Sequence, residues 1–599
     1  MRRRLILPAV PLALAGLVLA GCAVTGVSTT GTDSTSSSSS DSSTVAAAEI
    51  DSDLDPTAVL EANEDATVVN DDEWSDADAI DIALEGSTAT ASGDGVSVDG
   101  STVTITAAGV YRLSGDLTGS VVVAAPDDAQ VVLILDGVDI ANADGAAIAV
   151  TTADDVAISL ADGSVNSVSD ASSYDDASVA NAAIYADADL TVSGTGSLTV
   201  SGNGNDGIAS TDDLAIIGGT ITVDAVDDAL RGKDALVISG GTLDLTAGGD
   251  ALKSDDDEDA TRGYVWISAG DITATSGDDG IAATTDVVLT GGTVSISAEG
   301  AADAGSKGIS AGIVLAIGDG TVDVTATDDG LHSDGSIGLF GGTVTVAAGD
   351  DGAHAESALE IGGGTVTISE SNEGLEATDI AISGGDVSVT ASDDGLNGSG
   401  DSGTESTGSS DQGGMGGGMS DTGETITISG GTLTVNAGGD GIDSNGSVTI
   451  TGGDTVVWGP TMSGNGALDS NGGFDISGGT LLAVGSSGMA ESPDSGTAQA
   501  WIAATVSGSA GDEIEITDAD GTVVFSTTAE KEFQTAVFSS SDIDADGTYT
   551  VTVAGESVAV TAGEAIAGGM GGGMGGGAGG DGATAPDGGT GPGDGGERS

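Results

Sequence analysis

Acidic side chains recur in this 599-residue sequence at one place in a repeated unit, most often as Asp-Asp before a glycine. The segment SGDDGIAATTDVVLTGGTVSIS at 276–297 shows the pattern: an acidic pair, a glycine, and two β-like runs separated by GGT. Carboxylates grouped in this way can bind Ca2+, act as general acids or bases, or serve only as turn residues. The choice between these roles depends on whether the fold brings the acidic pairs together.

The repeated acidic positions form two sets, one directly before the glycine or alanine of each unit and one a single residue earlier. The first set is Asp206, Asp228, Asp250, Asp279, Asp329, Asp351, Glu373, Asp394 and Asp440, with Lys307 in the equivalent place of one unit. The second set contains Asp227, Asp278, Asp328, Asp350 and Asp393. All of these acidic residues are candidate metal ligands.

The elements that position these residues follow from the period of the sequence. Glycines of the GGT type recur with a base step of 22 residues, as from Gly219 to Gly241 and from Gly342 to Gly364, and larger separations add an insertion. A fixed period of this size indicates a solenoid, in which each unit buries its apolar face only against its neighbours. Three short alternating strands per unit predict an all-β parallel β-helix of about fourteen coils.

Stacking of coils would place equivalent carboxylates about 4.8 Å apart. Repulsion at that distance costs about 1 kcal/mol per neighbour in water and more in a protein, so a compensating cation is expected. Ca2+ suits the site because it takes six to eight oxygen ligands with flexible geometry. Lys307 supports this interpretation, since one unit supplies a covalent cation where the others have carboxylates. Turn chemistry with solvated side chains is the alternative.

The composition excludes some functions. The formal net charge is −85 and only 2% of residues are aromatic, so we expect no nucleic-acid binding and no large aromatic core. The charge favours cations as partners, although adaptation to high salt would also produce it. The single cysteine excludes an internal disulfide.

The N-terminus MRRRLILPAVPLALAGLVLAGC has a basic start, an apolar run and LAGC at 19–22. It resembles a bacterial lipoprotein signal, which implies that Cys22 is acylated and that the protein is lipid-anchored to the bacterial cell membrane, facing outside the cytoplasm. We expect a monomer. The predicted organisation is a signal peptide (1–22), a disordered Ser/Thr/Asp-rich tether (23–95), the β-helix (96–490), a small β domain (498–561) and a disordered Gly-rich tail (566–599).

A second group of residues suggests a binding surface for sugars. Arg231 and Lys253 occupy equivalent places in adjacent coils, with Lys233 nearby, and Tyr264 and Trp266 are predicted to face outward. Arginine can contact a carboxylate with two N–H groups and an aromatic ring can cover the apolar face of a sugar. The alternative is that the cations only relieve the negative surface.

The only two histidines, His332 and His354, lie one coil apart. Their spacing suggests a transition-metal pair, but polar surface positions are the simpler explanation.

Several segments resemble a family of secreted bacterial proteins, the carbohydrate-binding domain-containing family. They include SGNGNDGIASTDDLAI (201–216), VDDALRGKDALVISGGTLDLTAGGDALKSDDDEDATRGYVWI (226–267), SNEGLEATDIAISGG (371–385) and GPTMSGNGALD (459–469), and the resemblance covers roughly residues 100–490. It implies a right-handed parallel β-helix, bound calcium and affinity for plant-type polysaccharides, including acidic ones, without a demonstrated catalytic activity.

Three functions remain open from the sequence. The first is Ca2+-dependent binding of a polysaccharide such as polygalacturonate or cellulose. The second is a lyase that resembles the β-helical pectate lyases, with Arg231, Lys233 or Lys253 as the base beside Asp228 and Asp250. The third is a calcium-rigidified structural adhesin. We expect a binding protein rather than an enzyme.

Overall fold

The computed structural model describes residues 54–175, 178–300, 305–400 and 421–566. Over these residues the chain is nearly all β-structure and winds through about 15 turns of a β-solenoid, which confirms the predicted parallel β-helix. Successive coils pair in parallel with the predicted 22-residue step, as in Leu214↔Leu236 and Val223↔Leu245.

Each regular coil adds a strand to each of three parallel sheets, called first, second and third in the order in which the chain enters them. Strands of the first sheet are Asp155–Leu160, Asp189–Gly194, Asp213–Ile216, Ser336–Leu339, Thr425–Ile428, Ser447–Ile450 and Gly473–Ile476. Strands of the second sheet are Val165–Ser169, Ser197–Gly202, Thr220–Ala225, Thr343–Ala347, Thr365–Glu370, Asp386–Ala391, Thr432–Ala437, Asp454–Trp458 and Thr480–Gly485.

The third sheet consists of Thr102–Ile105, Ser120–Ala124, Ile148–Thr152, Ala182–Ala186, Asp206–Ser210, Leu230–Gly232, Leu252–Ser254, Ile281–Ala283, Ile309–Ala311, Leu331–Ser333, Leu396–Gly398, Ile442–Ser444 and Leu468–Ser470. Seven strands continue from the first sheet into the second: Ile80–Gly86, Gly109–Thr118, Gln130–Ala141, Ala235–Ala247, Tyr264–Ser276, Asp286–Ala298 and Val314–Ala326. Ala353–Ile361 and Leu375–Ile382 continue from the third sheet into the first. Ala89–Ala91 and Val96–Asp99 form antiparallel pairs with the first coil.

The interior contains stacks of aliphatic side chains, one per strand position. Ile208, Leu230, Leu252 and Ile281 are in register and fully buried, which explains how a chain so poor in aromatics builds a core. The GGT signature has a backbone cause, because its second glycine has a positive φ, for example +96° at Gly241.

The predicted disordered tether (23–95) is wrong over residues 54–95. Residues 80–95 include the strands Ile80–Gly86 and Ala89–Ala91, and residues 54–79 form an ordered strap across the outer face of the first sheet. The strap includes the helix Pro56–Ala62 and the 3-10 turn Asp76–Asp78. Leu54 and Val59 pack near Val288 and Ala316, whereas Val69 packs near Val132 many coils away. The strap contains few apolar residues, so the sequence did not predict that it packs against the first sheet. Residues 1–53, including Cys22 and the rest of the predicted tether, lie outside the described residues, as does 567–599.

The small C-terminal unit is divided between two sheets. Trp501–Gly508 and Phe533–Ser539 pair antiparallel with each other, and the second of them continues the solenoid sheet from Thr480–Gly485. Glu513–Thr517, Val523–Thr528, Thr548–Val553 and Glu556–Thr561 form a separate antiparallel sheet. Within the described ranges, we find no helix with the length and apolar character needed to span a membrane.

Candidate functional site

The repeated carboxylates directly before the third sheet form a column along one edge of that sheet, here called the carboxylate column. Its members are Asp206, Asp228, Asp250, Asp279, Asp329, Asp351, Glu373, Asp394 and Asp440, with Lys307 in the place of one carboxylate. Five of these aspartates, at 206, 228, 250, 329 and 351, are buried, and the other members are partly buried. The coils therefore bring like charges together in a poorly solvated turn.

A chain of hydrogen bonds runs along this column, which the sequence reasoning missed. The backbone N–H of Asp250 donates to Asp228 Oδ1 over 2.9 Å, and that of Asp279 donates to Asp250 Oδ1 over 2.9 Å. Lys307 N–H donates in the same way to Asp279 Oδ1 over 2.8 Å. An aspartate is short enough to bridge one coil spacing from a turn, so part of the acidic pattern is structural. The second oxygen of each such carboxylate takes no part in this chain of hydrogen bonds, and in Asp228 and Asp250 that oxygen contacts Lys253.

In the part of the chain that the structure describes, carboxylates from adjacent coils gather into acidic trios, and in each of three such trios one oxygen per residue lies within 4.8 Å of the others. The trios are Asp206/Asp227/Asp228, Asp250/Asp278/Asp279 and Asp328/Asp329/Asp350. Each combines column residues with exposed or partly exposed neighbours, so the oxygens are accessible from solvent. The trios contain nine of the fourteen predicted metal ligands.

Lysine side chains lie between the trios and neutralise part of their charge. Lys253 Nζ lies 3.2 Å from Asp228 Oδ2 and 2.7 Å from Asp250 Oδ2. Lys307 Nζ lies 2.7 Å from Asp328 Oδ2 and 3.7 Å from Asp329 Oδ2. Cations and acidic trios thus alternate along the column.

The remaining charge is poorly compensated, as the pKa values of the column show. Burial raises the pKa of Asp206 to about 7, and the charges of Asp228 and Asp227 act in the same direction. Burial likewise raises the pKa values of Asp279 and Asp440 to about 7. The column therefore holds carboxyl groups that ionise near neutral pH only at a cost in stability.

Asp228 and Asp329 show how a neighbouring cation affects the pKa of a buried carboxyl group. Burial raises the pKa of Asp228 to about 6, and the charge of Lys253 opposes that rise. At Asp329 burial is outweighed by the hydrogen bond from His332 and the charge of Lys307, so its pKa is lowered. A positive charge beside the column is thus sufficient to keep a buried carboxylate ionised.

The residues of the trios fit Ca2+ in ligand type and charge. Each offers three carboxylates in a partly open turn, and hard oxygen ligands with room for water are what Ca2+ binds in proteins. The uncompensated charge described above gives an independent reason for a cation at this place. Backbone hydrogen bonds already hold the column residues in position, so a cation would need little rearrangement.

Arg231 and Lys253 are in register on the outer face of the third sheet, as the sequence predicts, but each is engaged in ion pairs. Arg231 lies 2.7 Å from Asp255, and Lys233 lies 2.7 Å from Asp256. These basic groups therefore stabilise the acidic insert after Ser254 as well as the column.

The predicted exposed aromatic platform is wrong. Tyr264 and Trp266 do point out of the first sheet, but the strap covers them. Tyr264 is only 3% exposed and its hydroxyl donates to the carbonyl of Glu64 over 2.8 Å. They also lie on a different sheet from Arg231 and Lys253, so the four residues do not form one surface. The sequence could not reveal this, because the covering residues are about 200 positions away.

The third sheet also carries a mixed outer column that the sequence analysis recognised only in part. Its residues, in register, are Ala209, Arg231, Lys253, Ala282, Ser310, His332, His354, Glu376, Asn397, Asp443 and Asp469. The column changes from basic to acidic along the rod. Asp443, which was missed, has its pKa raised to about 7 by burial and by Asp469. A scan for polar residues at the 22-residue step would have found it.

Replacing Lys253 with Met should weaken the column locally. The substitution keeps the apolar stem but leaves Asp228 and Asp250 without their shared cation, so amide exchange in Leu230–Gly232 and Leu252–Ser254 should become roughly tenfold faster at pH 7.5. Hydrogen exchange with mass spectrometry measures this. The effect should shrink at pH 4.5, where Asp228 is protonated. An equal effect at both pH values would show that packing, not charge, is responsible.

The fold and the site together define a parallel β-helical protein with a stacked acidic surface. Residues 99–352 match the family model described as carbohydrate-binding domain-containing protein, and through this region the chain belongs to that family. A solved structure, that of the polysaccharide lyase-like protein from C. thermocellum as a gadolinium derivative, is 36% identical over 41% of this chain and 99% of that chain, with a TM-score of 0.39. Among curated proteins, none matches.

Proposed function

We propose that this protein binds an extracellular acidic polysaccharide through Ca2+ held by the carboxylate column, while a lipid on Cys22 tethers it to the cell membrane. Membership of the carbohydrate-binding domain-containing family supports the polysaccharide partner. The observation that carries the calcium dependence is the gathering of carboxylates from adjacent coils into three trios.

Calcium explains how so acidic a protein holds an acidic glycan. With a net charge of −85, the chain repels a polyuronate at long range unless positive charge intervenes. An ion held by Asp250, Asp278 and Asp279 would neutralise that trio and offer its open coordination positions to a uronate carboxylate. Because the trios repeat along one edge, a polymer with carboxylates at regular intervals can contact several of them.

The lyase alternative has less support from the geometry. Burial opposes the charged form of Lys253, but its hydrogen bond and attraction to Asp250 and Asp228 outweigh burial and raise its pKa. A general base needs the opposite change. The guanidinium of Arg231 is already paired with Asp255, so it is not free to act on a substrate.

Retention on immobilised polygalacturonate tests the proposal. Wild-type protein should be retained in Ca2+ and released by EDTA. The triple variant Asp227→Asn/Asp278→Asn/Asp350→Asn removes one exposed carboxylate from each trio, leaves the hydrogen-bonded column intact, and should reduce retention at least about tenfold. The matched control Asp224→Asn/Asp244→Asn/Asp323→Asn makes the same charge change on the second sheet and should bind normally.

Other outcomes decide between the alternatives. Retention that survives EDTA, or that falls equally in both triple variants, would contradict a calcium bridge. Release of unsaturated uronate products, detected by ultraviolet absorbance and lost in Lys253→Ala, would favour the lyase. Calcium-dependent stability without retention on polygalacturonate or cellulose would favour the structural adhesin.

A further inference from the structure

The two histidines of this chain face each other on adjacent coils of the third sheet. His332 pairs in register with His354, and their rings contact edge to face with centroids 5.3 Å apart. The full sequence holds no other histidine, so both imidazoles of a 599-residue chain meet at one point of the outer column.

Both imidazoles converge on one carboxylate oxygen. His332 Nδ1 lies 2.9 Å and His354 Nδ1 3.9 Å from Asp329 Oδ2. One ligand atom each of Asp329, His332 and His354 lies within 4.8 Å of the other two. Two nitrogens and one oxygen therefore surround a common point, and Asp329 is buried there.

Neighbouring groups orient the ring nitrogens. His332 Nε2 lies 3.2 Å from Asp334 Oδ1, so a carboxylate holds the nitrogen that is remote from Asp329. Such a contact is the usual support of a histidine that ligates a metal through its other nitrogen. On the other side, Asp351, His354 and Glu376 form a second close group that shares His354. A cavity of about 320 Å³ beside His354 and Glu376 gives access from solvent.

We propose that His332, His354 and Asp329 bind one transition-metal ion of the Zn2+ type, with Asp351 or Glu376 completing the coordination. Two imidazoles and a carboxylate suit borderline metals, whereas Ca2+ prefers a set of oxygens. The ligand set therefore differs in chemistry from that of the acidic trios, and it shares only Asp329 with one of them, the trio Asp328/Asp329/Asp350. The ion would join two adjacent coils through side chains of both.

The competing explanation is that the imidazoles are counter-charges, as Lys253 and Lys307 are elsewhere in the column. The arrangement of the rings favours the metal. Two protonated imidazoles in edge contact repel each other, and a single lysine serves as the counter-charge at each of the other positions.

Calorimetric titration of untagged full-length protein with ZnCl2 in excess Ca2+ tests the site. We expect one Zn2+ per chain, with affinity at least about tenfold weaker in His332→Gln/His354→Gln. Asp227→Asn/Asp278→Asn, which alters two acidic trios and not this cluster, should bind Zn2+ as the wild type does.

A spectroscopic measurement on the wild type guards against a variant that folds poorly. With 15N-histidine labelling, the chain gives imidazole signals from two residues only, and Zn2+ should shift both sets. Unmoved imidazole signals would overturn the proposal. So would Zn2+ binding that persists in the histidine variant and disappears in Asp227→Asn/Asp278→Asn, since the ion would then lie in the trios.

Discussion

In calcium-free buffer, the first thermal unfolding transition should fall by about 10 °C between pH 4.5 and pH 7.5. Asp206, Asp279 and Asp440 have pKa values raised to about 7, against 3.8 for an unperturbed aspartate, chiefly by burial. Adding millimolar Ca2+ at pH 7.5 should recover most of this loss, because the ion stabilises the ionised carboxylates.

The sign follows from proton binding. A carboxyl group with a raised pKa holds its proton more tightly in the folded state than in the unfolded state, so folding is favoured at low pH. That contribution is complete below about pH 4 and is lost as the pH rises through about 7. A salt-bridged aspartate usually has a lowered pKa and makes stability rise with pH. A fall in stability with rising pH would therefore identify the buried carboxyl groups of the column as its cause.

Ionic strength needs a control, because a net charge of −85 also produces general repulsion. Choline chloride at equal ionic strength screens long-range charge without binding in the trios, and should recover only a minor part of the stability. The triple variant Asp227→Asn/Asp278→Asn/Asp350→Asn should lose the response to Ca2+. A melting temperature that is constant with pH would contradict the claim that ionised column carboxylates destabilise the fold. Recovery of stability by choline chloride equal to that by Ca2+ would contradict specific binding of Ca2+ to the column.

Gly330→Ala should destabilise the middle of the rod by about 1–3 kcal/mol. The glycine after each acidic pair does not need a positive φ. It needs the absence of a side chain, because a Cβ at Gly330 would collide with Val346 Cγ1 and lie only 2.9 Å from the carbonyl of Gly352. Gly308, Gly352 and their equivalents make the same close approach to a β-branched residue. Hydrogen exchange across Leu331–Ser333 and Ala353–Ile361 would report the local loss.

The regular coils that have alanine in this place indicate how to rescue this change, and the coil with Ala467, where Ala483 is in register with Val457, is one of them. Ala229 and Ala251 stand where other coils have glycine, and the residues in register with Val223 in those coils are Leu245 and Ala274. Neither has a branched Cβ. Val346→Leu or Val346→Ala should therefore restore part of the stability of Gly330→Ala, whereas Val346→Ile should not. Additive effects in these double variants would refute the steric explanation.

The sequence was most informative where the structure repeats. The 22-residue step predicted the parallel β-helix, the register of Arg231 with Lys253, and the stacking of acidic residues, because coil stacking turns sequence period directly into spatial proximity. The hydrogen bonds from backbone N–H groups to column carboxylates were missed. The period shows which residues stack, but it does not show which backbone N–H group lies near each carboxylate.

The strap was missed for a different reason. Val69 N–H donates to Thr191 Oγ1, and Thr67 N–H donates to Asp213, contacts that join residues more than 120 positions apart. These contacts follow no sequence period. Because the strap is mostly polar, its sequence does not indicate that it buries residues of the first sheet. The mistake about Tyr264 and Trp266 follows from the same omission.

The strap has a mechanical consequence. It lies against residues near 314 at its beginning and near 132 at its end, so it runs back along the rod from the middle coils towards the first ones. A pull on the chain ahead of residue 54 would load the middle coils first, and would peel the strap contact by contact before any tension reached the N-terminal coil. Because the contacts of the strap would break one after another, a small force would extend the chain over a long distance. Detachment of the strap would therefore dissipate mechanical work before the coils beneath it unfold.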